Sequence, residues 1–319
     1  MDFRYCFFEL RLSLSSARLQ TTPPWLRIPL MSQSTDMKPT SLGTPLGLIA
    51  GQGTLPLETA RGMRAQGHRI ICAAMSGQAR VEELRPLCDE LHVVGMLRIN
   101  QWIRILKRRG CSEAVMVGRV GKAEMYERFH LFRYMPDWRT ARLWFFRVKH
   151  DKRTATLLRA LADELQSGGI TLIDGRPYVP ESLATEGLMT RTKPSATIQA
   201  DIDFSWPLLK RLNELLIGQS LTCMDREIIA VEAVEGTDQL MDRTAKFCKR
   251  KGWVLCKASN PNQDMRFDVP TVGVATVENL SRHGGGAMVL EAGRTIMLEK
   301  DALLKRADEL GVAVVGRSS

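Results

Sequence analysis

The feature that most constrains this fold is an alternation of short apolar segments with amphipathic ones, which begins at Leu46–Ala50. That segment has the length of a buried strand, and the turn Gly51-Gln52-Gly53 follows it. Pro56 stands where a helix can start, because the first helical turn tolerates a missing N–H. Strands that alternate with helices predict a doubly wound parallel sheet, that is, a Rossmann-like α/β fold. The same patterns predict strands at 69–75, 91–94 and 114–117, and helices at 56–66, 79–90, 99–109 and 154–166.

A second α/β unit is predicted after residue 194, since 319 residues leave room for two domains of roughly 150 residues each. We predict an α/β domain at 43–175, a linker rich in proline and glycine at 176–194, and another α/β domain at 195–319. Residues 1–42 are predicted to be a disordered extension or to precede the true start. Within the second domain the patterns predict helices at 208–216 and 239–250, strands at 220–224, 227–232 and 253–257, and a last strand–helix alternation from 287 to 315.

Composition excludes several classes of protein. With 44% hydrophobic and 25% charged residues, the chain is neither disordered nor collagen-like nor a coiled coil. The seven cysteines include no C-x-x-C pair, which argues against a disulfide framework or structural zinc and indicates buried thiols in a reducing cytoplasm. No uncharged stretch is typical of a membrane span.

The net charge of +10 is concentrated in residues 98–153, which hold fifteen Lys and Arg against five Asp and Glu, together with nine aromatic residues. Basic residues among aromatic ones fit an anionic phospholipid surface, and they also fit nucleic acid, whose bases stack on rings. A pair of helices with an apolar inner face and a solvated basic outer face explains the same composition, and the composition by itself favours this interpretation.

Two turns at the ends of predicted strands are candidate ligand sites. Gly51 and Gly53 precede a helix and could offer backbone N–H groups to a phosphate, although an ordinary strand-to-helix turn explains them equally well. In the segment Glu235-Gly236-Thr237-Asp238 the glycine allows a sharp turn into the next helix. Its acids would lie at the carboxyl end of a strand, where open α/β sheets bind ligands, whereas a plain helix cap explains Asp238 but not Glu235.

A dense group of charged residues follows the predicted strand at 253–257. Lys257 ends the strand, and Asp264, Arg266 and Asp268 follow at every second position. If this segment is extended, the three side chains share one face, which places two carboxylates for a hard cation beside one guanidinium for a phosphate. A structural Asp–Arg–Asp ladder is the alternative, but the nearby lysine favours a functional group.

Glu291, which ends a predicted strand after a run of three glycines, could join the metal group, while His283 is a weaker candidate. The five histidines form no H-E-x-x-H pattern, and neither a G-x-S-x-G motif nor a Walker loop is present.

Taken in order, five motifs resemble those of the UDP-2,3-diacylglucosamine pyrophosphatases of the lipid A pathway, in the family that is not calcineurin-like. They cover roughly residues 45–316. The motifs are Gly47-Leu-Ile-Ala-Gly-x-Gly-x-Leu-Pro56, Ile217-Gly-Gln219, Ala230-Val-Glu-Ala-Val-Glu-Gly-Thr-Asp238, Gln263-Asp-x-Arg-x-Asp-x-Pro270 and Glu291-Ala-Gly293.

The resemblance implies a cytoplasmic hydrolase, peripheral at the inner membrane, with its active site between two α/β domains. It would cleave UDP-2,3-diacylglucosamine to UMP and 2,3-diacylglucosamine 1-phosphate (lipid X) using Mg²⁺, with Mn²⁺ as an alternative, by attack of water on the sugar-side phosphorus. The segment from Gln263 to Pro270 would supply the essential acid, with Asp264 as first choice and Asp268 as second.

The other site residues follow from the same resemblance. Arg266 and Lys257 would neutralise developing charge. Asp264, Glu235, Asp238 and Glu291 would bind the metal, and Gly51, Gly53, Gly236, Thr237, Lys257 and Gln263 would bind substrate or phosphate. The stretch at 98–153 would contact acyl chains and the anionic inner-membrane surface, not nucleic acid, and a homo-oligomer remains open.

Two departures from the family pattern are Leu216, where an acid is usual, and Asp151-Lys152-Arg153, where paired acids are usual. They keep two alternatives open. One is a hydrolase or transferase acting on another nucleotide-sugar, and the other is a non-catalytic binder of anionic lipid or nucleic acid.

Overall fold

The computed structural model describes residues 43–119, 136–148, 154–233, 235–261 and 263–318, with the side chains of 147, 148, 154 and 155 left out. Ser41–Ser319 form one compact unit. The extension predicted at 1–42 and the departure at 151–153 lie outside the described residues.

The N-terminal half contains a five-stranded, fully parallel sheet, in which the strands lie side by side as third, second, first, fourth and fifth in chain order. Its strands bury apolar residues on both faces, as a parallel sheet covered by helices requires. The predicted doubly wound sheet is confirmed. The strands are β1 (Leu46–Ala50), β2 (Ile70–Met75), β3 (Glu90–Val94), β4 (Glu113–Val117) and β5 (Thr171–Ile173), and the helices are α1 (Leu55–Ala65), α2 (Val81–Leu84), α3 (Ile99–Arg108), α4 (Trp138–Leu143) and α5 (Thr154–Ser167).

One helix of this half is much shorter than predicted. In place of a helix at 79–90, α2 spans four residues and continues as a single 3₁₀ turn at Arg85–Leu87. Pro86 cannot donate a backbone hydrogen bond, and its ring disfavours a continued α-helix. Glu90, which was predicted to end this helix, therefore lies outside it and begins β3.

The C-terminal half contains a six-stranded mixed sheet, whose strands are, in their order across the sheet, β6 (Gly187–Leu188), β13 (Ala313–Arg317), β11 (Gly285–Glu291), β9 (Trp253–Lys257), β7 (Ser220–Met224) and β8 (Glu227–Val231). Strands β9, β11 and β13 are parallel, while β6 and β7 run antiparallel to them. The predicted second α/β unit is therefore confirmed. The helices of this half are α6 (Ala196–Glu214), α7 (Thr237–Phe247), α8 (Val274–Arg282) and α9 (Lys300–Glu309).

Three details differ from the sequence prediction for this half. Helix α6 starts twelve residues before the predicted 208 and contains Pro207. The segment predicted as a linker includes β6, which pairs with β13 at the edge of the sheet. A short parallel pair, β10 (Thr271–Val272) and β12 (Ile296–Met297), was not predicted, because two-residue strands carry no periodic pattern.

The two halves are joined by side-chain contacts as well as by the chain. Phe267, in the loop after β9, packs against the apolar cluster of the N-terminal half, and the guanidinium of Arg266 lies 5.6 Å from the centre of its ring. Arg176, just after β5, donates a hydrogen bond of 3.1 Å to the carbonyl of Gly293. The loop after β9 is consequently held against the N-terminal half.

Among the helices in the described part of the chain, none has both the length and the apolar character needed to cross a bilayer.

Candidate active site

The carboxyl ends of β8 and β9 lie on the same side of the C-terminal sheet, which we call its carboxyl edge. Both strands pair antiparallel with β7, so they run in the same direction, and Ser220 at the start of β7 lies opposite Lys257. Glu232 follows the last residue of β8, and Lys257 is the last residue of β9. Gly236, at a φ of 86° that favours glycine, turns the chain from this edge into α7.

The ammonium group of Lys257 is the centre of this edge. Its Nζ donates to Thr237 Oγ1 at 2.9 Å, and that hydroxyl donates to Glu232 Oε2 at 3.2 Å. Burial lowers the pKa of Lys257, while the negative charges of Glu232, Asp238 and Asp268 oppose the shift. Carboxylates from a strand end, a helix start and a loop therefore act on one lysine.

The loop after β9 forms a turn around Asp264. The carbonyl of Asp264 accepts hydrogen bonds from the N–H groups of Phe267 at 3.3 Å and Asp268 at 3.1 Å, and its carboxylate accepts from the N–H of Arg266 at 3.2 Å. The segment is therefore not extended, which was the condition for Asp264, Arg266 and Asp268 to share one face, because an aspartate that accepts from the backbone N–H two residues ahead favours a turn.

The side-chain amide of Gln263 stabilises the same turn through two hydrogen bonds. Its Oε1 accepts from the N–H of Asn260 at 2.9 Å, and its Nε2 donates to the carbonyl of Asp268 at 2.6 Å. The amide predicted to contact substrate is therefore engaged within the loop.

The two aspartates of the loop have opposite pKa shifts. Burial raises the pKa of Asp268, and the neighbouring charge of Asp264 raises it further against the effect of Gln263 and Lys257. Burial also acts on Asp264, but hydrogen bonds from Arg266 and its charge outweigh burial, so the pKa of Asp264 is lowered. Two charges on helix α5 act in the same sense, because Arg159 lowers the pKa of Asp264 and Asp163 raises the pKa of Arg266.

The structure does not bring the four predicted metal ligands together. Glu235 accepts from the N–H of Ala233 and lies 2.8 Å from Arg243 Nη2, and Asp238 accepts from Asn279 Nδ2 at 3.1 Å. Glu291 is fully buried and bonded to Ser259 and Lys210. Asp264 is paired with Arg266. Over the residues that the structure describes, no three His, Cys, Asp or Glu side chains are placed to share one metal ion.

The glycine turn after β1 lies at the carboxyl edge of the N-terminal sheet, where its parallel strands end. The N–H of Gly51 donates to the carbonyl of Val117 at 2.9 Å, and a Cβ on Gly51 would lie 2.8 Å from the carbonyl oxygen of Arg119. Gly51 therefore allows the exits of β1 and β4 to approach closely, and its N–H is not available to a phosphate. For Gly53 the predicted role stays a prediction.

Comparison with known proteins covers both halves. Residues 45–182 match the LpxI N-terminal domain family, and residues 185–315 match the LpxI C-terminal domain family. The chain belongs to the LpxI family. It is 31% identical over 280 residues to the UDP-2,3-diacylglucosamine pyrophosphatase LpxI of Caulobacter vibrioides, which covers 85% of this chain and 96% of that relative.

Membership of the LpxI family confirms the resemblance found from the motifs, and with it the assignment of the chain to hydrolases that act on diphosphate bonds. The roles predicted for individual residues stay predictions. The structure groups Lys257, Thr237, Asp238 and Asp268 at one edge. Glu291 ends β11 at the same edge, where Leu290 lies opposite Lys257, but its carboxylate is hydrogen-bonded to Ser259 and Lys210.

Sequence patterns did not identify three residues around the candidate site, namely Glu232, Ser259 and Lys210. Glu232 is the last residue of the strand predicted at 227–232, and an acid at a strand's carboxyl end was a usable signal. Ser259 and Lys210 carried none, because their partner Glu291 lies 32 and 81 residues away in the chain.

Proposed function

We propose that this chain hydrolyses the diphosphate of UDP-2,3-diacylglucosamine to UMP and 2,3-diacylglucosamine 1-phosphate in lipid A synthesis. Family membership and the activity named for the Caulobacter relative support the substrate. The structural observation that carries the proposal is Lys257, a partly buried cation at the edge of the sheet with Asp268 and Asp238 acting on it. A cation for phosphate beside a basic carboxylate is what diphosphate hydrolysis requires.

Asp268 is the proposed general base. Its raised pKa makes it a better proton acceptor than an ordinary carboxylate, and Asp264, whose pKa is lowered, is the weaker base of the two. In this proposal a water oxygen attacks the sugar-side phosphorus, and its proton passes to Asp268. The bond from that phosphorus to the bridging oxygen breaks, and UMP leaves with the bridging oxygen.

Positive charge and backbone N–H groups bind the diphosphate in the same proposal. Lys257 and Arg266, the latter oriented by Asp264, neutralise charge that develops on the phosphate oxygens. Gly236 and Thr237 open α7, whose N-terminal end favours an anion.

Mg²⁺, with Mn²⁺ as an alternative, remains a proposal. The donor set fits, because Asp238 offers a carboxylate in the first turn of α7, beside the proposed phosphate site, and Mg²⁺ commonly takes one or two carboxylates together with substrate phosphates. When bound, the ion would neutralise charge on the diphosphate.

We also propose that the protein lies in the cytoplasm and contacts the anionic inner membrane. The observation is a row of exposed aromatic residues in and after α4, where Trp138 is 81% exposed and Phe146 is 78% exposed, with Trp144 and Phe145 between them. Aromatic side chains of this kind insert at a membrane interface. Arg139 and Arg142, which belong to the basic stretch at 98–153, are paired with Glu164.

The test is release of UMP from UDP-2,3-diacylglucosamine by the purified chain, with Mg²⁺ or with EDTA, beside Asp268→Asn and Asp264→Asn. We expect release that needs the metal ion and falls far more in Asp268→Asn. Reaction in ¹⁸O-water should place the label in the sugar phosphate. Label in UMP would overturn the side of attack, and no release from folded, metal-supplied protein would turn attention to other nucleotide-sugars.

A further inference from the structure

Glu291 is a buried carboxylate with both oxygens in use. It ends β11 and has no exposed surface. Lys210 Nζ donates to Oε1 at 2.7 Å, while Ser259 donates to Oε2 through both its N–H at 2.7 Å and its hydroxyl at 2.5 Å. Removing a buried charge from water is costly unless such partners satisfy it, so this group is fixed in place.

Ser259 connects the hydrogen-bond network of Glu291 to the loop after β9. It follows Lys257 by two residues and precedes the turn of Asp264 and Asp268. Its hydroxyl also accepts from Arg294 Nε at 2.7 Å, and its carbonyl accepts from Asn213 Nδ2 at 3.1 Å. The N–H, the carbonyl and the hydroxyl of one residue are therefore all bonded, and the start of the loop has little freedom.

We propose that Glu291 is a positioning residue that fixes the loop through Ser259 and so sets the placement of Asp268 against Lys257. This inference rests on the proposed function and replaces the metal-ligand role predicted for Glu291. Glutamine has nearly the same shape but offers one acceptor oxygen. Whichever way its amide turns, the NH₂ group faces either the Lys210 ammonium or the donors of Ser259. Displacement of a catalytic group by about 1 Å can cost about 100-fold in rate.

The test compares Glu291→Gln and Ser259→Ala with Glu309→Gln, a control whose carboxylate lies in a surface pair with Arg306. We expect kcat per folded molecule to fall about 100-fold in Glu291→Gln and about tenfold in Ser259→Ala, which keeps the N–H bond. KM should stay within about twofold, and Glu309→Gln should match the wild type. Unchanged kcat in folded Glu291→Gln overturns the inference, as does activity restored by excess Mg²⁺, which would make Glu291 a metal ligand. If Glu291→Gln does not fold, Ser259→Ala decides in the same way.

A second readout needs no substrate. Amide hydrogen exchange across 258–270 should become faster in Glu291→Gln and Ser259→Ala, while exchange in α9 stays unchanged. If the wild type releases no UMP, the proposed function fails, and exchange still decides whether Glu291 holds the loop. Equal exchange in the variants and the wild type overturns the inference on its own.

Discussion

Asp264 and Arg266 form an ion pair through two hydrogen bonds, from Nε to Oδ1 at 2.8 Å and from Nη2 to Oδ2 at 2.6 Å. The pair compensates one carboxylate of the loop. Asp268, four residues further on, lacks an equivalent two-point arginine pair in the described structure, and its pKa is raised. Environments that push the pKa values of two acids apart also separate their roles.

Asp268→Asn should lower kcat by about 1,000-fold, since a general base contributes roughly 100- to 10,000-fold. Steady-state UMP release measures the effect. Asp301→Asn, which changes an acid in the first turn of α9, is the matched control and should leave kcat unchanged. An Asp268→Asn variant with near wild-type kcat would exclude this residue as the base.

The pH dependence of kcat/KM should have an acid limb set by Asp268. Because its pKa is raised, the activity should fall as the pH drops through a value above the ordinary aspartate pKa of about 3.9. Initial rates across the acidic range measure that limb. A limb at or below the ordinary value would contradict the assignment.

Asp264→Asn should act mainly on stability. The lowered pKa means that the carboxylate stabilises the folded state above the unfolded pKa, and that this contribution is lost as pH falls through the lower folded value. Since Arg266 is partly exposed, we expect a loss of about 1 kcal/mol in the free energy of unfolding at pH 7.

Urea unfolding at neutral and at acidic pH measures this change, and the difference from the wild type should vanish at the acidic end. The kcat of Asp264→Asn should fall by no more than about tenfold. A loss as large as that of Asp268→Asn would restore Asp264 as the essential acid.

Phe267→Ala should weaken the contact between the halves. The ring is partly buried against the N-terminal cluster, so we expect a loss of about 2 kcal/mol, below the cost of a fully buried phenylalanine. Phe247→Ala is the control, because that ring is 71% exposed at the end of α7. Thermal unfolding compares the two, and equal stability would show that the Phe267 contact contributes nothing.

Trp138→Ala combined with Phe146→Ala should reduce binding to anionic vesicles by about tenfold, because the two rings are the most exposed of their row. Sedimentation with vesicles that contain phosphatidylglycerol measures binding, again with Phe247→Ala as control. Binding that is equal in the double variant and the control would remove this surface from the proposal.

Local pattern predicted most of the fold. Strand β9 was predicted with both bounds correct, because a buried five-residue apolar segment before a charged loop has few other interpretations. The strands predicted at 220–224 and 227–232 leave Asp225 and Arg226 as the turn between them, and both residues have the positive φ that a two-residue type I′ turn requires.

The site was predicted less well, because its geometry depends on pairings between distant segments. The sequence identified Glu291 as a candidate site residue but could not show that Lys210 and Ser259 hydrogen-bond to its two carboxylate oxygens. The alternation of Asp264, Arg266 and Asp268 suggested an extended face, and only the hydrogen bonds to the Asp264 carbonyl reveal a turn.

The ring of Phe267 has a consequence for recombination between relatives. It belongs to the C-terminal half by sequence, yet it is partly buried in the space beside the core of the N-terminal half. A chimera that joins residues 43–182 of this chain to the second half of another family member must place a side chain of similar volume in that space. Chimeras that leave it empty should fold with a loosened catalytic loop. A segment exchanged between relatives together with the N-terminal half therefore has to include Phe267 and cannot end at the linker.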